Sequence, residues 1–112
     1  MTTEVTRDEL YRALSAGEAI VLVEALGADY YADAHLPGAI NIPADQVDAL
    51  APTLLPDRGA NIVVYCSGMC SNSEIAADRL SALGYERVRV YYGGKEDWLE
   101  HGLPLDRSSD PA

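Results

Sequence analysis

An α/β fold, with a central and mostly parallel sheet carrying helices on both faces, is what the order of elements in this chain predicts. Two observations carry that prediction. Continuous apolar runs, "AIVLV" (19–23) and "NIVVYC" (61–66), have the composition of strands covered on both faces. Segments with helical apolar spacing and recognisable start and stop residues stand between them. A length of 112 residues suits one domain, and 48% hydrophobic residues is enough for a single core.

Taken in order, "TRDE" (6–9) reads as a capping box, with Thr6 accepting from the backbone and Glu9 reaching back. Leu10 and Leu14 then share one helical face, and Gly17 stops the helix. The first strand, 19–23, follows. "DYYADAHLPGAINIP" turns at Pro-Gly into a short strand from Ala39 to Ile42. "ADQVDALAPTLLP" offers a short helix ended by Pro52, with Pro56 extending the break. "NIVVYC" is the second buried strand. In "SEIAADRLSALG", Ala76, Leu80 and Leu83 fall at helical spacing before the stop at Gly84. "RVRVYYGG" alternates as a third clear strand, and "KEDWLEHG" makes a last short helix. Residues 106–112, "DRSSDPA", read as a frayed tail.

Charge and composition exclude several function classes. The formal net charge is −10, from 18 acidic against 8 basic residues, which argues against nucleic acid and anionic membrane surfaces as partners. The longest apolar runs are too short to span a bilayer, and "MTTEVTRDEL" has neither a secretory nor a transit pattern. The expectation is a soluble, cytoplasmic protein. Thiols stay mostly reduced in that compartment, so Cys66 and Cys70 are poor candidates for a structural disulfide.

Those two cysteines stand in a loop of small residues between the second strand and its helix. In α/β sheets ligands bind beyond the carboxyl ends of the strands, which is where Cys66 falls. A loop curling into a helix N-terminus turns successive N–H groups to one spot, and the helix dipole adds positive potential. A cysteine opening such a loop would be held as thiolate, the nucleophilic form. Two readings therefore stand for Cys66: a primed nucleophile, or a small buried hydrophobe. Ser71 has its own local role, because "SNSE" (71–74) is a second capping box. Zinc would need ligands beyond Cys66 and Cys70; only His35 and His101 are available, and no paired second motif supports a metal.

Three segments together resemble the rhodanese-like family. "AHLPGAINIP" (34–43) resembles its His-x-Pro-Gly-Ala-x-x-x-Pro signature, and "IVVYCSG" (62–68) its strand leading to the active cysteine. "LGYERVRVYYGGKEDWLEHGLPL" (83–105) resembles its Gly-Tyr, strand, Gly-Gly, Trp and Gly-Leu-Pro ending. The resemblance implies a single three-layer rhodanese-like domain over 1–112, with its core at about 6–105. It implies a sulfurtransferase in which Cys66 carries sulfane sulfur as a persulfide and passes it to a thiol or cyanide. Ser67, Gly68, Met69, Cys70, Ser71 and Asn72 would then form the loop that binds the anionic end of the donor. The donor would be thiosulfate or a low-molecular-weight persulfide, and the acceptor a thiol, including that of another sulfur-carrier protein. No cofactor or metal is implied.

This sequence departs from the family pattern in four places. The loop contains no Arg, so thiosulfate would rest on amides, hydroxyls and the helix dipole; Arg58 and Arg79 are the nearest basic residues in sequence. Counted to Ser71 the loop has the six-residue length of sulfur transfer; counted back from Ala76 and Ala77 it is one longer, as in phosphatase and arsenate-reductase members. Those members end the loop on Arg, where this chain has Asn72. "VEA" (23–25) keeps an acid at Glu24 but lacks the family's following Arg. Cys70, at Cys-x-x-x-Cys spacing, is either a bystander or a resolving thiol. The alternatives to sulfur transfer are a thiol-disulfide or arsenate-reductase-like enzyme using Cys66 and Cys70, and a non-catalytic docking module.

Overall fold

The computed structural model describes residues 3–68 and 71–106. In chain order the elements are β1 (Thr3–Glu4), α1 (Arg7–Ser15), β2 (Ile20–Glu24), α2 (Ala28–Asp33) and β3 (Ile40–Asn41). A 3₁₀ turn (Ala44–Gln46) leads into α3 (Val47–Leu54), followed by β4 (Asn61–Tyr65), α4 (Asn72–Ala82), β5 (Arg87–Tyr91) and α5 (Gly94–Glu100). The strands form one sheet in the order β1-β5-β4-β2-β3, with every adjacent pair parallel. The α/β class and the parallel sheet are those the sequence predicts. No helix of the described residues is long and apolar enough to cross a membrane.

Continuous apolar strands are needed because successive side chains go to opposite, equally dry faces. From β4, Ile62 and Val64 join Val23, Ala51, Ala76 and Leu80 in one apolar cluster, beneath α3 and α4. Val63 and Tyr65 join Leu10, Leu22, Tyr91 and Trp98 in the other, beneath α1 and α5. The register sets Glu24 beside Tyr65 and Tyr65 beside Tyr91, so the carboxyl ends of the three central strands finish level. That level edge is where Cys66 begins its loop.

The capping box at Thr6 forms as read: Glu9 N–H donates to Thr6 Oγ1 at 3.2 Å, and Thr6 N–H donates to Glu9 Oε1 at 2.9 Å. Other expectations need correction. Pro52 does not end its helix; α3 runs on to Leu54 with Pro52 inside it. The proline removes only the hydrogen bond to the Asp48 carbonyl, on an exposed residue, while Ala51 beside it is fully buried. The stop comes from Pro56, which forces Leu55 out of the helical region to φ −126° and ψ 71°. The strand expected over Ala39 to Ile42 is limited to Ile40–Asn41. Strand β1 and helix α2 were not read from the sequence. Helix α2 buries none of its residues, so it lacks the apolar stripe that announces a helix. Of the expected tail, Asp106 pairs with His35 in an isolated antiparallel bridge, and residues 107–112 lie outside the described residues.

Candidate functional site

The site is built on the carboxyl end of β4. Tyr65, fully buried, donates its hydroxyl to Glu24 Oε1 at 3.0 Å and accepts from Leu36 N–H at 2.9 Å. Its carbonyl accepts from Ala25 N–H at 2.9 Å, which carries the β2–β4 ladder one step past the strand. Cys66 comes next, only 1% exposed, and its sulfur is disulfide-bonded rather than the reduced thiol that the sequence predicts. Its Sγ lies 3.5 Å from the Gly68 carbonyl oxygen and 3.7 Å from the hydroxyl of Ser73, a fully buried residue in the first turn of α4.

Helix α5 holds the loop from behind. Lys95 N–H donates to the Cys66 carbonyl at 3.0 Å, and Glu96 N–H donates to the Ser67 carbonyl at 2.8 Å. The orphan donors at the start of a helix thus become the anchor of the cysteine loop. Among the described residues no peptide is cis, so the N–H groups of Ser67 and Gly68 point away from α5, opposite their carbonyl partners. Gly94 makes this approach possible. It sits at φ +65°, and a Cβ there would stand 2.3 Å from the Cys66 carbonyl oxygen. On the flank, the Glu96 carboxylate lies against Gly68, where an added methyl would meet Oε1 at 2.9 Å.

An ion pair braces this end of the sheet. Glu24 is completely buried, and Lys95 Nζ reaches its Oε2 at 3.1 Å. The same ammonium donates to the carbonyls of Tyr30 at 3.0 Å and Ala34 at 2.7 Å. Burial raises the pKa of the Glu24 carboxyl, and the hydrogen bonds and charge from Lys95, with the hydroxyl of Tyr65, work against that rise. Lys95 therefore provides the cation missing after Glu24 in sequence. It ties β2 to α2 while its own backbone holds Cys66, and this explains why α2 forms without a buried face.

Cys66, Ser67, Gly68 and Ser71 lie in order between β4 and α4, and Asn72 is the first residue of α4; Met69 and Cys70 lie outside the described residues. Six residues, 66–71, precede the helix. Ser71 occupies the cap position, but the second capping box does not form. Its backbone is helical at φ −89° and ψ −5°, and its side chain makes no cap hydrogen bond. A capping hydroxyl requires an extended residue to reach back to the helix, as Thr6 does at ψ 162°. Ser71→Ala is therefore expected to change stability by less than about 0.5 kcal/mol, against about 1 kcal/mol for Thr6→Ala, in parallel urea denaturations.

Neither basic residue near the loop in sequence turns toward it. Arg79 forms a two-pronged pair with Asp48 at 3.0 and 2.6 Å, and Arg58 donates to the Leu83 carbonyl at 2.9 Å over the Tyr85 ring. His35 stacks on Tyr31 and bonds its carbonyl, while His101 bonds the carbonyl of Asp97. Among the described residues, no group of three or more His, Cys, Asp or Glu is placed to hold a metal ion. The sequence reading missed Ser73 as a neighbour of Cys66. Three polar residues in succession, Ser71, Asn72 and Ser73, gave no sign of which one faces inward.

The rhodanese-like domain family matches residues 6–101, and the chain belongs to that family. Over 106 residues it is 38% identical to the HTH-type transcriptional regulator Rv0324 of Mycobacterium tuberculosis, covering 94% of this chain and 45% of that one. It is 28% identical over 105 residues to a protein of Allochromatium vinosum named sulfurtransferase, covering 94% of this chain and 95% of that one. Among solved structures, the BH2092 protein of Bacillus halodurans superposes with a TM-score of 0.87 at 27% identity, covering 96% of this chain and 79% of that one. The chain thus spans less than half the length of the mycobacterial relative and nearly all of the Allochromatium one.

Proposed function

We propose that this domain is a persulfide-forming sulfurtransferase with Cys66 as its nucleophile. The observation that carries the reading is the setting of Cys66: a buried cysteine at the carboxyl end of the central strand, with the Ser73 hydroxyl beside its sulfur and loop carbonyls anchored to α5. In the reduced chain the Cys66 thiolate attacks the outer sulfur of a donor R–S–SH. The donor S–S bond breaks, RS⁻ leaves with its electron pair, and Cys66–S–SH remains. An acceptor thiolate then attacks that outer sulfur, the bond to Sγ breaks, and the Cys66 thiolate is restored. With thiosulfate the leaving group is sulfite; with cyanide as acceptor the product is thiocyanate. The name of the Allochromatium relative and the six residues before α4 support this reading.

Thiol persulfides suit the site better than thiosulfate. Arg58 and Arg79 are committed elsewhere, Lys95 is tied to Glu24, and the Glu96 carboxylate lies against the loop. A dianion would meet amide dipoles but no unengaged cation from these residues, and charge-assisted bonds are roughly twice as strong as neutral ones. A second reading, a regulatory or docking module, draws on the mycobacterial relative, a transcriptional regulator. Mass spectrometry of the reduced protein after brief exposure to cysteine persulfide or to thiosulfate separates them. A gain of one sulfur on Cys66, faster from the persulfide, is expected. Loss of two hydrogens would favour thiol-disulfide chemistry, and no change would favour docking.

A further inference from the structure

Beside the cysteine loop the molecule has a cavity of about 630 Å³, within the range of small-molecule sites. One wall is Ala25, whose N–H extends the ladder to Tyr65 immediately before Cys66. The facing wall is the first turn of α4, with Asn72 and Ile75, and the rim comes from β3 and the 3₁₀ turn, with Asn41, Asp45 and Gln46. We propose that this cavity seats the acceptor thiol, and that it selects uncharged or ammonium-bearing thiols over those carrying a carboxylate. The inference rests on the sulfurtransferase reading and deepens it.

The chemistry of the lining supports that selection. Both amide hydrogens of Asn41 are committed, to the carbonyls of Glu24 at 3.2 Å and Leu26 at 2.7 Å. Its side chain therefore offers the cavity an acceptor oxygen. Among the described residues of the lining, Asp45 is the one that carries a charge, and it is negative. The cation nearest along α4, Arg79, is held by Asp48, so a ligand carboxylate gains no counter-charge from it. Ile75, 47% exposed, adds apolar surface for the methylene chain of a short thiol. The acceptor oxygens of Asn41 and Asp45, with the apolar surface of Ile75, suit hydroxyl or ammonium donors. Water-screened attraction or repulsion at about 4 Å is worth roughly a fivefold effect per unit charge.

The test divides the reaction into halves. Reduced protein is first loaded from cysteine persulfide, and the added sulfur on Cys66 is verified by mass spectrometry. Its discharge is then followed in single turnovers with cysteamine, 2-mercaptoethanol and 3-mercaptopropionate, corrected to equal thiolate concentration. The expected order is cysteamine, then mercaptoethanol, then mercaptopropionate. Asp45→Asn should shrink the cysteamine-to-mercaptopropionate ratio roughly 25-fold, because attraction of the ammonium and repulsion of the carboxylate are both lost, and Ile75→Arg should shrink it further or invert it. Glu100→Gln, which removes a charge from the end of α5, should leave the ratio unchanged. Failure of Cys66 to load would overturn both the function and this inference. Normal loading with a ratio unmoved by Asp45→Asn and Ile75→Arg, or moved equally by Glu100→Gln, would overturn the acceptor cavity alone.

Discussion

Cys66→Ala is expected to abolish sulfur loading and transfer while the chain stays folded. The sulfur of Cys66 is the atom on which the proposed persulfide forms, so its removal takes away the group that accepts the donor's outer sulfur. The structural cost is small by comparison. Cys66 is 1% exposed and behaves in packing as a small hydrophobe, so losing its sulfur forfeits about 1 kcal/mol of burial. Thermal unfolding of the variant should therefore remain cooperative, with its midpoint lowered by only a few degrees. Loading measured by mass spectrometry, and transfer to cyanide measured as thiocyanate, should both fall to the level of protein-free buffer. Transfer that persists in a folded Cys66→Ala protein would move the nucleophile to another residue.

The second large effect is expected at Gly94, whose side-chain hydrogen faces the backbone of the cysteine loop. An alanine methyl there would lie 2.3 Å from the Cys66 carbonyl oxygen, 2.8 Å from the Ser67 carbonyl carbon and 2.9 Å from Gly68 N. These are backbone atoms in the loop itself and cannot swing aside as a flexible side chain would. The left-handed conformation at φ +65° adds about 1–2 kcal/mol for a residue with a Cβ. Overpacking adds about 1–3 kcal/mol more. Gly17 provides the comparison, because its φ is +80° but nothing lies within 4 Å of an added Cβ. Gly17→Ala should show only the conformational part of the cost and transfer sulfur normally. Gly94→Ala should lose more stability and also lose transfer, since the hydrogen bonds from Lys95 and Glu96 to the loop cannot both be kept. Equal denaturation midpoints and equal transfer rates for the two variants would mean that α5 does not set the geometry of the loop.

Local rules accounted for much of this fold. The strand cores at 20–23 and 61–65, the helix begun by Thr6 and the helix ended at Gly84 follow from signals carried within a few neighbouring residues. Apolar runs make strands dry on both faces, and a side chain at a helix start bonds an amide three residues away. Those interactions are short in sequence, so the chain displays them before it folds. The position of Cys66 at a strand end was legible for the same reason.

Ser71 and Pro52 mark where local rules give out. Ser71 has the right side chain for a cap, yet its backbone is helical because the loop before it is bound by α5 and the helix after it packs on the sheet. Pro52 has the wrong ring for a helix interior, yet burial of Ala51 carries α3 past it. In both cases tertiary packing outweighs a local preference of about 1 to 3 kcal/mol.

By itself the sequence determined the alternation of strands and helices, the cysteine at the carboxyl end of β4, and a small-residue loop leading into a helix. Only the tertiary structure decided which groups that loop meets. Lys95 finds Glu24 across 71 residues of chain, Gly94 meets the carbonyl of Cys66, and Ser73 rather than Ser71 faces the sulfur. The physical reason is that a sequence specifies donors, acceptors and apolar surface but not their partners. Those partners are chosen when the sheet register brings distant strand ends level and burial requires each polar group there to be satisfied.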